Sequence, residues 1–152
     1  MAGDAMTLAE RIDWIVARSR SSAKAHAKVY RWTAGRIGGR KRGIPVLLLT
    51  TTGRRSGQPR TVPLMYLPHE GQMVVVAANA GSDASPAWWL NLRRSPRAVV
   101  QVRGERRDVV AREADTSERA ALWPELVDLN PFYARYQAVT PRSLAVVILE
   151  VA

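Results

Sequence analysis

Between Thr50 and Leu64 the chain reads TTTGRRSGQPRTVPL. Gly53 and Gly57 bracket Arg54, Arg55 and Ser56, and Gln58 and Arg60 follow. Glycine lets a backbone turn sharply and lie close to a ligand, because it has no Cβ. Successive N–H groups in such a turn can form an anion-binding concavity. Guanidinium forks match the geometry of phosphate and carboxylate. The chemistry open to this run is therefore the holding of a polyanion. The plain alternative is a hairpin tip with solvated charges, and the residue types alone leave both open.

Other chemistry is scarce. The chain has no cysteine, so thiolate, disulfide and iron–sulfur sites are ruled out. Its two histidines, His26 and His69, are far apart and lack metal-ligand neighbours, so neither a zinc site nor a Ser-His-Asp arrangement is expected. His69 follows Pro68 in a turn and reads as exposed. Tyr133 and Tyr136 stand three apart in a helical stretch, where packing explains them as readily as chemistry.

The elements that must carry these residues can be read from pattern. PVLLLTTT, from Pro45, is a buried strand, and RTVPLMYL a second, whose Pro63 argues for a sheet edge or a bulge. MVVVAAN, AVVQVRG, RRDVVAR and LAVVILEV follow, with a hairpin expected around Gly104 and Glu105. Six short strands with close turns predict a mainly β, α+β fold, an antiparallel six-stranded barrel with flanking helices. One helix is expected to be capped by Ser85 with Pro86 first. Another starts near Thr116 or Ser117, and Pro124 is expected to kink or divide it. FYARYQAVT is a last short helix. Trp88 and Trp89 are adjacent and should not face the same way, so one belongs in the core, as does Trp123.

The chain has 152 residues, 47% hydrophobic and 24% charged, which suits one soluble domain. Its net charge of +10 is uneven. Residues 1–43 hold ten Lys and Arg against three Asp and Glu. That basic segment is set apart from a second unit, 44–152. Residues 7–35 read as helix, with Thr7 and Glu10 spaced as a capping box. One reading makes it a surface helix. Another makes it an interfacial helix with Trp14 and Trp32 at the headgroups, giving a peripheral membrane contact. No signal peptide or spanning segment is visible, so the expected location is cytoplasmic, with or without membrane association. Nucleic acid is a poor partner, because helix-turn-helix spacing and a stacking sheet motif are both missing.

Three stretches together, TTTGRRSGQPRTVPLMYL, ANAGSDASPAWWLNLRRSP and LWPELVDLNPFYARYQAVTPR, resemble the deazaflavin-dependent nitroreductase family of actinobacteria. The resemblance runs from about residue 44 to the C-terminus. It implies a split β-barrel that binds reduced coenzyme F420, a 5-deazaflavin with a phosphate and an oligoglutamate tail. By that similarity Arg54, Arg55, Ser56, Gly57, Gln58 and Arg60 hold the phosphate and tail. Thr61, Val62 and Pro63 lie along the cofactor, Ala77, Ala78 and Asn79 approach its ring, and Trp88 and Asn91 share a face toward it. Met65, Tyr133 and Tyr136 contact the substrate, and the two tyrosines are the catalytic candidates. The implied reaction is hydride transfer to a small hydrophobic acceptor, a quinone, enone or nitroaromatic.

Relatives best known for nitroimidazole reduction often carry tyrosine where this chain has Met65 and Asn130, and lysine at Asn79. Tyr66 adjoins Met65, but strand periodicity aims it at the opposite face. A non-catalytic deazaflavin carrier and an FMN-dependent enzyme on the same fold stay open, as do a monomer and a homodimer.

Overall fold

In the computed structural model, which describes residues 40–41 and 44–152, a two-residue strand β1 (Arg40–Lys41) pairs with the start of β2 (Ile44–Thr52). Then come β3 (Pro59–Met65), β4 (Leu67–His69) and β5 (Gln72–Ala77). A single 3-10 turn (Asn79–Gly81) precedes α1 (Ala87–Arg94). The hairpin β6 (Arg97–Val102) and β7 (Glu105–Glu113), helices α2 (Thr116–Leu129) and α3 (Phe132–Val139), and β8 (Ala145–Val151) complete the chain. The expected helix over 7–35, with Trp14, Trp32 and His26, lies outside the described residues.

The strands pair antiparallel in the order β3, β2, β6, β7, β8, β5, β4. With β1 also paired to β2 the sheet is eight-stranded; the path of the other strands has two ends, so the expected six-stranded barrel is corrected to a sheet that hydrogen bonding does not close. The end strands β3 and β4 are nevertheless separated in sequence by Tyr66 alone, whose N–H turns away to Pro45 O at 3.1 Å. That one residue splits the expected strand RTVPLMYL in two. The sheet thus curls until a covalent corner joins its ends.

The curl encloses one core. Leu47 and Leu49 of β2, Met73, Val75 and Ala77 of β5, Val100 of β6, Val109 of β7 and Val147 and Leu149 of β8 meet in a single cluster. Val62 and Leu64 of β3 pack on it from the far end of the path. The outer face of β5 and β8, through Val74, Val76, Val146 and Ile148, packs on Leu122, Leu126 and Tyr133 of α2 and α3. β2 is buried on both faces, as its unbroken apolar run requires. β3 pairs only with β2 among the described residues, which places Pro63 at an edge.

Local departures have local causes. Two-residue turns with positive φ at both positions close the hairpins, at Glu70–Gly71 and at Arg103–Gly104, one residue before the expected position. α1 begins at Ala87, with Pro86 rather than Ser85 at its cap. α2 starts at Thr116, and Asp115 caps it. It runs unbroken past Pro124. The carbonyl that Pro124 cannot bond belongs to Ala120, and both residues lie on the solvent face, where water can take it. Trp88 and Trp89 are both buried, with rings edge-on at 6.4 Å, because α1 sits inside the curl and is covered on more than one side. Trp123 is only half-buried and lies under the Arg119 guanidinium, 4.7 Å from its centroid. His69 is half-buried, 3.9 Å from both Glu70 and Glu125.

Candidate functional site

The arginine run is the loop between β2 and β3. Gly53 N–H bonds Gln58 O and Gly57 N–H bonds Gly53 O, both at 2.8 Å. A Cβ on Gly53 would stand 2.7 Å from Ser56 Oγ and 3.1 Å from Gln58 O, so the loop closes this tightly only around glycine. Gly57 has φ +69°. Ser56 Oγ accepts from Gln58 N–H at 3.1 Å and from Arg60 Nη2 at 3.5 Å. Arg54 N–H and Nη1 both reach Asn91 Oδ1, at 3.1 and 3.5 Å, and Asn91 Nδ2 donates to Thr51 Oγ1 at 3.0 Å. Asn91 is 4% exposed. It therefore fastens the loop to α1 from inside, a role the sequence did not disclose.

Most N–H groups of the loop are spent on these internal bonds. The side chains, more than a backbone concavity, supply the positive charge. Arg55 and Arg60 are exposed, and no carboxylate of the described residues pairs with them or with Arg54. Thr61 donates to or accepts from Thr50 Oγ1 at 2.8 Å, while Val62 faces the core and Pro63 is half-buried beside it.

Ala77 and Ala78 are buried at the end of β5, and Asn79 is exposed in the turn that follows. Asn79 and Ala80 both adopt left-handed φ, 46° and 52°. Trp88 packs in the core cluster and is 7% exposed. The expected pair on α1 thus divides its labour, Asn91 toward the loop and Trp88 toward the core.

Met65 and Tyr133 meet around Asn130. Asn130 Nδ2 lies 3.9 Å from Met65 Sδ, and Asn130 hydrogen-bonds Tyr133. Tyr66 instead packs on the inner core, as strand periodicity required. Burial pushes the Tyr133 hydroxyl up to about 12, so it stays protonated across the neutral range. Tyr136 is half-buried and stacks on Phe132, with centroids 6.0 Å apart. α3 also packs on the turn after β5, since a Cβ on Gly81 would lie 3.2 Å from Tyr136 Cα.

A cavity of about 350 Å³ lies away from the arginine loop and α3, walled by Tyr66, Met73, Val100 and Val102. A smaller one of about 160 Å³ runs beside β3, past Pro59 and Thr61 to Gln101 and Arg106. Among the described residues no cluster of ligands could hold a metal ion, and no helix is long and apolar enough to cross a membrane.

A family model described as F420H(2)-dependent quinone reductase matches residues 22–151. An F420H(2)-dependent quinone reductase of Mycobacterium tuberculosis is 37% identical over 130 residues, 83% of this chain and 87% of that protein. A solved F420-H2 dependent reductase is 38% identical, with TM-score 0.64 over 70% of this chain and 94% of its own. A structure described as a domain-swapped dimer is 32% identical, with TM-score 0.67 over 92% of this chain and 99% of its own.

Proposed function

The chain belongs to the F420H(2)-dependent quinone reductase family, and from that premise we propose that it transfers a hydride from reduced coenzyme F420 to a quinone. Enones and nitroaromatics are secondary acceptors on this reading. The observation that carries it is the arginine loop: Arg54, Arg55 and Arg60, tied to α1 through buried Asn91 and unpaired with any described carboxylate. A donor set of three guanidiniums with Ser56 and Gln58 fits a phosphate followed by several carboxylates.

When bound, the reduced deazaflavin supplies the hydride. The protein's share is to bind and orient. Arg54, Arg55 and Arg60 hold the anionic tail, and Asn91 fixes where the loop stands. Thr61, Val62 and Pro63 form the wall along β3, and residues 77–79 lie along the deazaflavin ring. A quinone that has received a hydride needs one proton more to become the hydroquinone. We assign that proton to the Tyr136 hydroxyl or to water held by it, since Tyr136 is the more exposed of the two tyrosines. Tyr133, 5% exposed, orients Asn130 and Met65 at the acceptor side.

The family match begins at residue 22, so residues 22–43 of the basic segment are proposed as part of the same working unit as 44–152. A homodimer is proposed from the relative described as a domain-swapped dimer.

The test is titration of F420 into the protein, followed by ring fluorescence, and then reduction of a naphthoquinone by the reduced cofactor. Arg55→Ala and Arg60→Ala should each weaken binding of long-tailed F420 by about tenfold, and of a tail-less analogue far less. Equal losses for both ligands would remove the arginines from the tail site. Binding without oxidation across quinones, enones and nitroarenes would make the protein a carrier.

A further inference from the structure

The turn after β5 is held in a conformation that Ala80 disfavours. Asn79 and Ala80 have side chains, yet both sit in the left-handed region. Short bonds close the turn: Ala78 N–H to Val76 O at 2.9 Å, Gly81 N–H to Ala78 O and Ser82 N–H to Asn79 O, both at 3.0 Å. Such a backbone persists only when its surroundings fix it.

Arg142, in the connection from α3 to β8, is the group that does so. Its Nη1 donates to Ala77 O at 3.0 Å, Nη2 to Ala78 O at 2.8 Å and Nε to Ser82 O at 2.9 Å. All three nitrogens of one planar fork are therefore spent on three carbonyls of this turn. Two further bonds brace it. Thr140 Oγ1 donates to Asp83 Oδ1 at 3.1 Å, and Asn79 Nδ2 donates to Ala84 O at 2.8 Å. Partial burial lowers the Arg142 pKa and nearby Asp83 opposes that, but a guanidinium keeps its charge in either case.

We propose that Arg142 is a positioning residue for the cofactor: its guanidinium sets the backbone of residues 77–82, and so the place of the deazaflavin ring. This rests on the function proposed above, in which 77–79 lies along that ring. The clamp also decides which polar groups the segment offers. The carbonyls of Ala77 and Ala78 are taken. The Asn79 N–H makes no hydrogen bond with the described residues. A ligand thus meets a donor there, which suits the carbonyl oxygens of a deazaflavin. Because Arg142 follows α3 directly, the same fork ties the ring to the helix that carries Tyr133 and Tyr136. A lysine cannot replace it, since one ammonium cannot span three carbonyls in a plane.

The experiment compares wild type, Arg142→Ala and Arg142→Lys, each confirmed as folded by thermal melting. F420 is titrated into each by fluorescence, and the absorbance of the bound cofactor is recorded. Both variants should bind about tenfold more weakly than wild type. The absorbance of their bound cofactor should move toward that of free F420. Millimolar guanidinium should restore affinity to the alanine variant and leave wild type unchanged. A folded alanine variant with wild-type affinity and bound spectrum overturns the inference. If the alanine variant does not fold, the lysine variant decides the question by the same two readings. Wild type that takes up no F420 overturns the proposed function, and this inference with it. Wild type that binds beside variants that bind equally well overturns the inference alone.

Discussion

Asn91 holds the arginine loop at its base, and its amide is matched on both sides: the oxygen to Arg54, the nitrogen to Thr51. Asn91→Leu keeps the branched shape and removes both amide groups that serve Arg54 and Thr51. It strands a buried hydroxyl, since Thr51 is 2% exposed, together with a main-chain N–H. The expected cost is about 1–3 kcal/mol, read as a lower urea midpoint at unchanged slope. F420 affinity should fall with it, although residue 91 need not touch the tail. An unchanged midpoint would show that the amide bonds contribute nothing net. The arginines themselves were legible from sequence because their signal is local, glycine, arginine, serine and proline in one ordered run. The fastening roles of Asn91, Asn130 and Arg142 were not. Their partners stand 37 to 65 positions away, at Arg54, Met65 and Ala77, and no spacing rule reaches that far.

Helix α2 shows how an element is fastened to the sheet. Its first turn is a reciprocal cap, with Glu118 N–H to Asp115 Oδ1 at 2.8 Å and Asp115 N–H to Glu118 Oε1 at 3.1 Å. The same carboxylate takes both terminal nitrogens of Arg112 on β7, at 2.6 and 2.7 Å, and Arg112 Nε reaches Glu150 on β8 at 2.5 Å. The Arg112 hydrogen bonds, and then the Asp115 main chain, hold the Glu118 carboxyl at about 2, below its ordinary 4.5. A depressed carboxyl contributes stability that is complete above about 4.5 and lost as the pH falls toward 2. Glu118→Gln should therefore flatten the dependence of stability on pH across that window, measured by urea unfolding at stepped pH. The same steep fall in the variant would assign the acid transition to other groups. The cap was half-visible beforehand. The sequence places the start near Thr116 or Ser117, and the reciprocal bonds between Asp115 and Glu118 show that Asp115, just before it, is the cap.

At the scale of the whole molecule, the six longer strands were readable because each is a short β-branched stretch, apolar or alternating, between turn residues. Their number and closure were not, because Tyr66 looks like any strand residue until Pro45 O takes its N–H. The helix around Trp88 and Trp89 was readable too. That both rings are buried depends on the sheet curling around α1, which no pattern within eight residues can state. Assembly is a property of this scale. A homodimer should give twice the mass of 16.8 kDa in light scattering after gel filtration, and a monomeric mass across micromolar concentrations would refute it.

The edge of β3 has a consequence for life in a crowded cell. Among the described residues β3 has no strand on its far side, and open flanks invite strands from other molecules. Two of the seven residues of β3, Pro59 and Pro63, are prolines four apart. They point the same way along the strand, and neither has an N–H to offer. The flank along which the cofactor is proposed to lie is thus also one that a neighbouring chain can copy only in part. Pro63, proposed as part of the site's wall, thus has a second effect with Pro59: each denies an added strand one backbone donor.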